Sequence, residues 1–293
     1  MGILPRVLRA CWRLMRLLVR GGAFPFRFRW FRHVAAVGAV GVTLAVAVTI
    51  ATVSAAVALG AYSYTSGTRG FDISWPQCGG AYPATPFGFG IVGVADGRAN
   101  TQNPCLASEY AWAKQGTGST PSVYMNLNYG LTRGTCARKD KACQAYTYGF
   151  GAAQSAMRYA GAQAAVANMW WLDIETGNTW SSTTTLNAQV IHGALAGLLA
   201  AGMTVGIYST PYQWGVIAGA YAPGVPNWSA GAPASDPASF CAAAHAFGGG
   251  VVWLAQYSNG NFDGNYACEQ APRDSIAGVV LGKRCQVAAG VGA

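Results

Sequence analysis

Acidic side chains are scarce in this sequence. Its 293 residues include only 10 Asp and Glu against 19 Lys and Arg, a formal charge of +9. Eight of the arginines lie in residues 1–33, a segment without any acid, so the rest of the chain has 11 basic residues against 10 acids and is nearly neutral. Nucleic-acid binders gain affinity by neutralising many phosphates. We therefore expect no nucleic-acid partner.

Several motifs of metal and cofactor chemistry are also missing. The sequence has no Cys-x-x-Cys pair, and its histidines are far apart: His33, His192 and His245. A zinc site would lack its ligands. No Gly-x-Gly-x-x-Gly turn follows the first predicted strand, and there is no Gly-x-Ser-x-Gly elbow. These absences argue against a dinucleotide fold and a serine nucleophile, and we expect neither metal nor cofactor.

A long apolar stretch follows the arginines. Residues 34–68 contain no Asp, Glu, Lys or Arg, and about 20 apolar residues in a helix cross a bilayer. Arginines stay in the cytoplasm, so the C-terminal part is expected outside the cell membrane. The sequence predicts a basic cytoplasmic segment, a transmembrane helix or signal anchor, a linker and a barrel domain, at residues 1–33, 34–60, 61–68 and 69–293.

A second interpretation of this stretch stays open. A signal peptide cleaved near Ala58 would release a secreted protein instead of a single-pass membrane protein. The apolar run is longer than the ~7–15 residues of an ordinary signal-peptide core, which favours the anchor.

Cysteines support export, because disulfides form outside the cytoplasm. Cys11 lies in the basic segment, and the other seven lie in the exported part. Connectivity does not follow from sequence alone. Proximity along the chain suggests three pairs and leaves Cys285 over: Cys78 with Cys105, Cys136 with Cys143, and Cys241 with Cys268.

Short apolar runs alternate with longer Ala-rich stretches in the exported part. We predict strands at 70–74, 89–95, 122–127, 169–174, 204–208, 226–230 and 251–256. Helices are predicted at 106–114, 143–161, 185–201 and 238–247. This alternation predicts an α/β fold with a parallel sheet, and the length favours a (β/α) TIM-like barrel over a doubly wound sheet.

Half of the acids lie at or just beyond the ends of apolar strands: Asp72, Asp96, Asp173, Glu175 and Asp263. The carboxyl ends of the strands of a parallel barrel meet at one mouth, so we expect these side chains to converge there. The remaining acids are expected on the solvated surface: Glu109, Asp140, Asp236, Glu269 and Asp274.

Asp173 and Glu175 are two residues apart on a predicted strand, so both project from one face. Their mutual repulsion should raise the proton affinity of one of them. A carboxylic acid beside a carboxylate is typical of glycoside hydrolysis. Tryptophans near the strand ends are candidate stacking surfaces for sugar rings: Trp75, Trp170, Trp171, Trp180, Trp214 and Trp253.

Structural roles compete with each of these assignments. Asp72 can cap a turn, and Asp173 with Glu175 can form a buried pair that binds backbone amides. Asp96 and Asp263 each precede a glycine and suit turns. The tryptophans can equally be core residues.

Four motifs follow one another along the chain: Gly70-Phe-Asp-Ile-Ser with Gln77, Leu172-Asp-Ile-Glu175, Gly206-Ile-Tyr-Ser209, and Trp253 followed by Gln256-Tyr257 and Asp263-Gly-Asn265. In this order they resemble the family 25 glycoside hydrolases, muramidases with a (β/α) barrel. The chain is similar to actinobacterial exported proteins that carry such a barrel.

The resemblance implies cleavage of the β-1,4 bond between N-acetylmuramic acid and N-acetylglucosamine in peptidoglycan or another cell-wall glycan. It implies that Glu175 donates the proton, that Asp173 is its partner, and that Asp72 and Asp263 complete an acidic mouth. Whether an enzyme group or the substrate's acetamido group is the nucleophile stays open. Expected substrate-binding side chains are Trp75, Gln77, Asp96, Tyr208, Trp253, Gln256 and Tyr257. A non-catalytic glycan-binding or envelope module on the same barrel is the alternative.

Overall fold

The computed structural model describes residues 64–268 apart from 119. The predicted cytoplasmic segment, the predicted membrane helix, most of the linker and Cys285 lie outside these residues. No helix within the described part of the chain is long and apolar enough to cross a membrane.

Eight strands form a closed barrel in which each strand pairs with the next one along the chain. Strands β1 to β7 are parallel, whereas β8 is antiparallel to both β7 and β1. The predicted barrel is thus confirmed, but the prediction of a wholly parallel sheet is wrong. The strands are β1 Arg69–Ile73, β2 Gly90–Gly93, β3 Ser122–Asn126, β4 Trp170–Asp173, β5 Val205–Ser209, β6 Asn227–Ala230, β7 Val252–Asn259 and β8 Phe262–Ala267.

The antiparallel strand β8 was not predicted, because its sequence is rich in turn-forming residues. It forms a hairpin with β7 in which Asn259 pairs with Phe262, and Gly260 in the turn has a φ of 73°. Gly264 is required within the strand, since a Cβ there would lie 2.5 Å from Cζ of Tyr257. Pairing on both edges stabilises a segment whose composition does not favour a strand.

The helices lie between β2 and β6: α1 Leu106–Ala113, α2 Lys141–Ala160, α3 Ala162–Val166, α4 Thr184–Ala200 and α5 Pro211–Ala218. Asp140 begins α2 by accepting a 2.9 Å hydrogen bond from the Cys143 amide. The helix predicted at 238–247 is wrong, since two short 3-10 turns occur there, Pro237–Cys241 and Ala243–His245. The connection from β1 to β2 likewise has only a 3-10 turn, Trp75–Gln77.

Aromatic rings fill the barrel interior. Tyr64, Phe89, Trp171 and Trp228 belong to one buried cluster, and the indole of Trp171 donates a 3.1 Å hydrogen bond to the Tyr64 hydroxyl. A filled interior leaves no channel, so substrate chemistry is restricted to the mouth of the barrel.

The three predicted disulfides are confirmed: Cys78–Cys105, Cys136–Cys143 and Cys241–Cys268. Cys78–Cys105 ties the loop after β1 to the start of α1, and Cys241–Cys268 ties a 3-10 turn to the end of β8. Two of the three bonds therefore brace the parts of the barrel that lack a covering helix.

Helices α2 and α4 pack closely through two glycines. A Cβ on Gly149 would lie 1.9 Å from the carbonyl oxygen of Val190, and one on Gly193 would lie 2.0 Å from that of Tyr146. Neither backbone has room for a methyl group at the crossing.

We predict that Gly193→Ala lowers the free energy of unfolding by about 1–3 kcal/mol or more, because the added methyl group forces the two helices apart. Gly151→Ala on α2 is the matched control, since nothing lies within 4 Å of its Cβ position. Alanine is the better helix former there, so the control should be neutral or slightly stabilising. Urea denaturation measures both, and equal midpoints for the two variants would refute the packing argument.

Candidate active site

The mouth of the barrel is formed at the carboxyl ends of the parallel strands. The register places Asn126, Asp173 and Tyr208 side by side at the ends of β3, β4 and β5. Across the mouth, Asp72 on β1 pairs directly with Asp263 on β8. Since Glu175 lies two residues beyond the end of β4, the sheet brings the four predicted catalytic residues to one end of the barrel.

Asp72 lies half-buried beneath the opening. Its Oδ2 accepts a 2.6 Å hydrogen bond from Asn265 Nδ2, and Gln256 Nε2 lies 3.1 and 3.2 Å from its two oxygens. Burial, and then the charge of Asp263, raises the pKa of Asp72 to about 7. Asp263 is more exposed than Asp72. When only one of these two carboxyls is protonated, we therefore assign the proton to Asp72. Asp72 therefore titrates near neutral pH.

Asp173 is the most deeply buried acid of the mouth, with 4% of its surface exposed. Its Oδ2 accepts a hydrogen bond from Asn126 Nδ2. Burial, followed by the neighbouring charge of Glu175, raises the pKa of Asp173 well above its usual range. This environment favours the protonated form of Asp173.

Glu175 is less buried than Asp173. Burial raises its pKa, and hydrogen bonds with Gln213 and Tyr208 oppose that rise. The raised pKa values agree with the prediction that mutual repulsion raises the proton affinity of one member of the pair. In the free protein, however, burial makes Asp173 the protonated member, whereas the resemblance assigned the donor role to Glu175.

Tyr208 and Gln256 lie in the mouth, as expected. The hydroxyl of Tyr208 donates a 2.7 Å hydrogen bond to Oε1 of Gln256. Burial and the surrounding carboxyls, Glu175 foremost, raise the pKa of Tyr208 well above its ordinary value, so the phenol keeps its proton. Gln256 thus contacts Asp72, and Tyr208 contacts Glu175.

Most of the tryptophans expected to stack on sugars are instead core residues: Trp170, Trp171, Trp214 and Trp253 are at most 3% exposed. Trp75 is 45% exposed just beyond β1. Trp180 is half-buried, and its indole donates a 2.8 Å hydrogen bond to the carbonyl oxygen of Glu175. Only these two of the candidate tryptophans offer a ring face.

Tyr257 was predicted to bind substrate, but it is a buried residue of the barrel wall. It is 4% exposed, and the guanidinium of Arg69 lies 5.4 Å from the centre of its ring. Its neighbour Gln256 points into the mouth, and successive residues of a strand face opposite ways. Tyr257 therefore packs on the outer side of the barrel wall, away from any substrate.

Gln77 and Asp96 lie in the loops after β1 and β2. Oε1 of Gln77 accepts a 3.0 Å hydrogen bond from the Ser74 amide, which closes the capping box of the 3-10 turn. The amide of Asp96 donates a 3.2 Å hydrogen bond to Oγ1 of Thr101. Gln77 therefore has a structural role, and Asp96 lies in a bend after β2.

The expectation that Glu109 lies on the solvated surface is wrong. It is fully buried, and its Oε2 accepts a 2.6 Å hydrogen bond from Asn103 Nδ2. The same Nδ2 also donates a 2.8 Å hydrogen bond to the carbonyl oxygen of Gly93 on β2. Glu109 thus anchors α1 against the barrel through Asn103.

Four site residues were missed from the sequence: Asn126, Gln213, Trp228 and Asn265. They are neutral, and a search for acids passes over them. Asn126 had a usable signal, because it ends β3 as Asp173 ends β4. Within the described part of the chain, no three or more His, Cys, Asp or Glu residues are grouped as metal ligands, and we assign none.

Comparison with known proteins agrees with the motif resemblance. A family model described as lysozyme-like protein 1 matches residues 141–240, which include Asp173 and Glu175. Over these residues the chain resembles a lysozyme. The match confirms the predicted likeness to lysozyme-like glycoside hydrolases, and with it the predicted enzyme class. No curated protein matches the chain.

Two solved structures are similar to the chain. A muramidase from Acremonium alcalophilum has 19% identity and a TM-score of 0.46, with 70% of this chain and 95% of that chain covered. The modular Cpl-1 endolysin, solved with a peptidoglycan analogue, has 16% identity and a TM-score of 0.46. That match covers 72% of this chain and 57% of the endolysin.

We predict that folding stability falls as the pH rises from about 4 towards 7, because unfolded Asp72 releases its proton near pH 4 whereas folded Asp72, with its pKa raised to about 7, keeps it. Asp72→Asn should flatten this slope. Asp236→Asn, at an exposed position, should leave it unchanged. Urea denaturation across this pH range measures the slope, and parallel curves for the parent and Asp72→Asn would contradict the prediction.

Proposed function

We propose that this protein is an exported muramidase that hydrolyses the β-1,4 glycosidic bond of peptidoglycan. The observation that carries the proposal is the group of four acids at the mouth, Asp72, Asp173, Glu175 and Asp263, all with a raised pKa. Protonated and ionised carboxyls side by side are what glycoside hydrolysis requires. The motif order and the lysozyme-like family match support the same substrate class.

In this proposal Glu175 delivers the proton, because it is the less buried member of the pair and so the more accessible to substrate. The proton shared with Asp173 passes through Glu175 to the glycosidic oxygen as the bond between C1 and that oxygen breaks. The negative charge left on the pair stabilises the positive charge that develops at C1. Water then adds at C1, and its proton returns to the pair, so that the site regains its starting state.

Asp72 and Asp263 complete the mouth on the opposite side of the barrel. Asp263 raises the pKa of Asp72 and, through a smaller effect, that of Glu175, so it acts on both sides of the mouth. Trp75, three residues after Asp72, has an exposed ring that is suited to stacking on a sugar of the glycan chain.

We predict that Glu175→Gln lowers the release of reducing ends from purified cell walls by about 10²- to 10⁴-fold, the usual contribution of a general acid. The matched control is Asp236→Asn, an exposed carboxyl on a 3-10 turn, which should keep full activity. Equal turnover by Glu175→Gln and the parent would remove Glu175 as the acid. Wall binding without turnover by the parent would favour the glycan-binding alternative.

We further propose that residues 34–60 anchor the protein in the cell membrane with the barrel outside. The arginines before this stretch and the three disulfides after it support that orientation. We predict that the full-length chain sediments with membranes and that external protease digests its barrel on intact cells. Recovery of the barrel in the medium, with a new N-terminus near Ala58, would instead establish cleavage and secretion.

A further inference from the structure

The side-chain amides of Asn265 and Gln256 both contact Asp72. The orientation of each amide is determined by its other hydrogen-bond partner. Asn and Gln each carry a donor end and an acceptor end of nearly the same shape, so their other partners determine which end faces a carboxylate. Asn265 and Gln256 pair directly across β7 and β8, which brings both side chains to the same point.

The orientation of Asn265 is set by Trp228. The indole Nε1 of Trp228 donates a 2.7 Å hydrogen bond to Oδ1 of Asn265. Because an indole nitrogen is only a donor, the amide oxygen must face it, and the amide nitrogen then faces Asp72 at 2.6 Å. A reversed amide would set two donors against each other and place its oxygen against the carboxylate.

Gln256 is oriented in the same manner by Tyr208. The phenol donates to Oε1 of Gln256 at 2.7 Å, and Nε2 is left to face both oxygens of Asp72. This arm constrains Asp72 less tightly, because the single O–H of Tyr208 also serves Glu175 and the distances from Gln256 to Asp72 are longer, 3.1 and 3.2 Å.

The indole of Trp228 is itself held in place. It is 2% exposed, and its ring centre lies 4.6 Å from that of Tyr208, 5.8 Å from that of Trp171 and 6.1 Å from that of Tyr124. Asn265 is fully buried. The aromatic filling of the barrel thus fixes a hydrogen-bond chain that ends on a carboxyl of the mouth.

We propose that Trp228, acting through Asn265, is a positioning residue that holds the amide N–H of Asn265 against Asp72 and so favours the ionised form of Asp72. Burial and the charge of Asp263 oppose the ionisation of Asp72, whereas a backbone hydrogen bond favours it. Asp263 on β8 and Asp173 on β4 are acidic neighbours, and the phenols of Tyr124 on β3 and Tyr208 on β5 also interact with Asp72. The catalytic relevance of this chain rests on the proposed hydrolase function, but its effect on Asp72 does not.

The test follows the carbon-13 carboxyl resonance of Asp72 through a pH titration of the full-length protein in detergent, without substrate. Trp228→Phe keeps a ring in place and removes the N–H group, so Asn265 loses the partner that orients it. We predict that the titration midpoint of Asp72 rises by about one pH unit, as expected when a charge-assisted hydrogen bond is lost. Tyr208→Phe should raise it by less.

Trp214→Phe is the matched control. Trp214 is as buried as Trp228, at 3%, and its indole donates a 3.1 Å hydrogen bond to the carbonyl oxygen of Tyr221, outside the hydrogen-bond network of Asp72. The control should leave the midpoint of Asp72 unchanged. Asn265→Leu, which removes the donor itself, should shift the midpoint upwards and serves as the second variant if Trp228→Phe does not fold.

A folded Trp228→Phe or Asn265→Leu protein with the parental midpoint would overturn the proposal. If the parent digests cell walls, the pH profile of digestion should move to higher pH in the same variants. If the parent does not digest them, the hydrolase proposal fails, and the carboxyl titration still decides whether Trp228 acts on Asp72.

Discussion

The structure depends on one electrostatic constraint, the burial of several carboxyl groups at the mouth of an aromatic-filled barrel. Asp173 is nearly inaccessible, and Asp72 lies beneath the opening directly opposite Asp263. Carboxylates this close to one another and to apolar rings cannot all ionise, so protons are retained at neutral pH. This arrangement costs stability at higher pH, and in the proposed reaction it supplies the proton for bond cleavage.

The antiparallel strand β8 makes this arrangement feasible. It closes the barrel between β7 and β1 and contributes both Asp263, which repels the charge of Asp72, and Asn265, which donates a hydrogen bond to it. No helix connects β7 to β8. The disulfide Cys241–Cys268 lies next to this hairpin and ties its end to a 3-10 turn.

Sequence reasoning succeeded where a signal is local. Proximity along the chain predicted the disulfides. Spacing by two predicted that Asp173 and Glu175 interact, as they do, although Glu175 lies beyond the end of β4. It failed where tertiary packing decides. Nothing local in the sequence distinguishes the buried Trp253 from an exposed tryptophan. The turn-like sequence of β8 forms a strand because two neighbouring strands pair with it. The buried carboxyl of Glu109 is stabilised by a hydrogen bond from Asn103. Neutral amides such as Asn265 carry no charge that marks them as site residues.

The central claim is that the acids of this mouth cleave a glycan bond. Its most direct test is digestion of purified cell walls by the protein, with the released fragments identified by mass. We expect disaccharide-containing fragments whose reducing end is N-acetylmuramic acid, and we expect them to be absent from the Glu175→Gln digest. Intact walls after digestion by the folded parent protein, or fragments that end in N-acetylglucosamine, would contradict it.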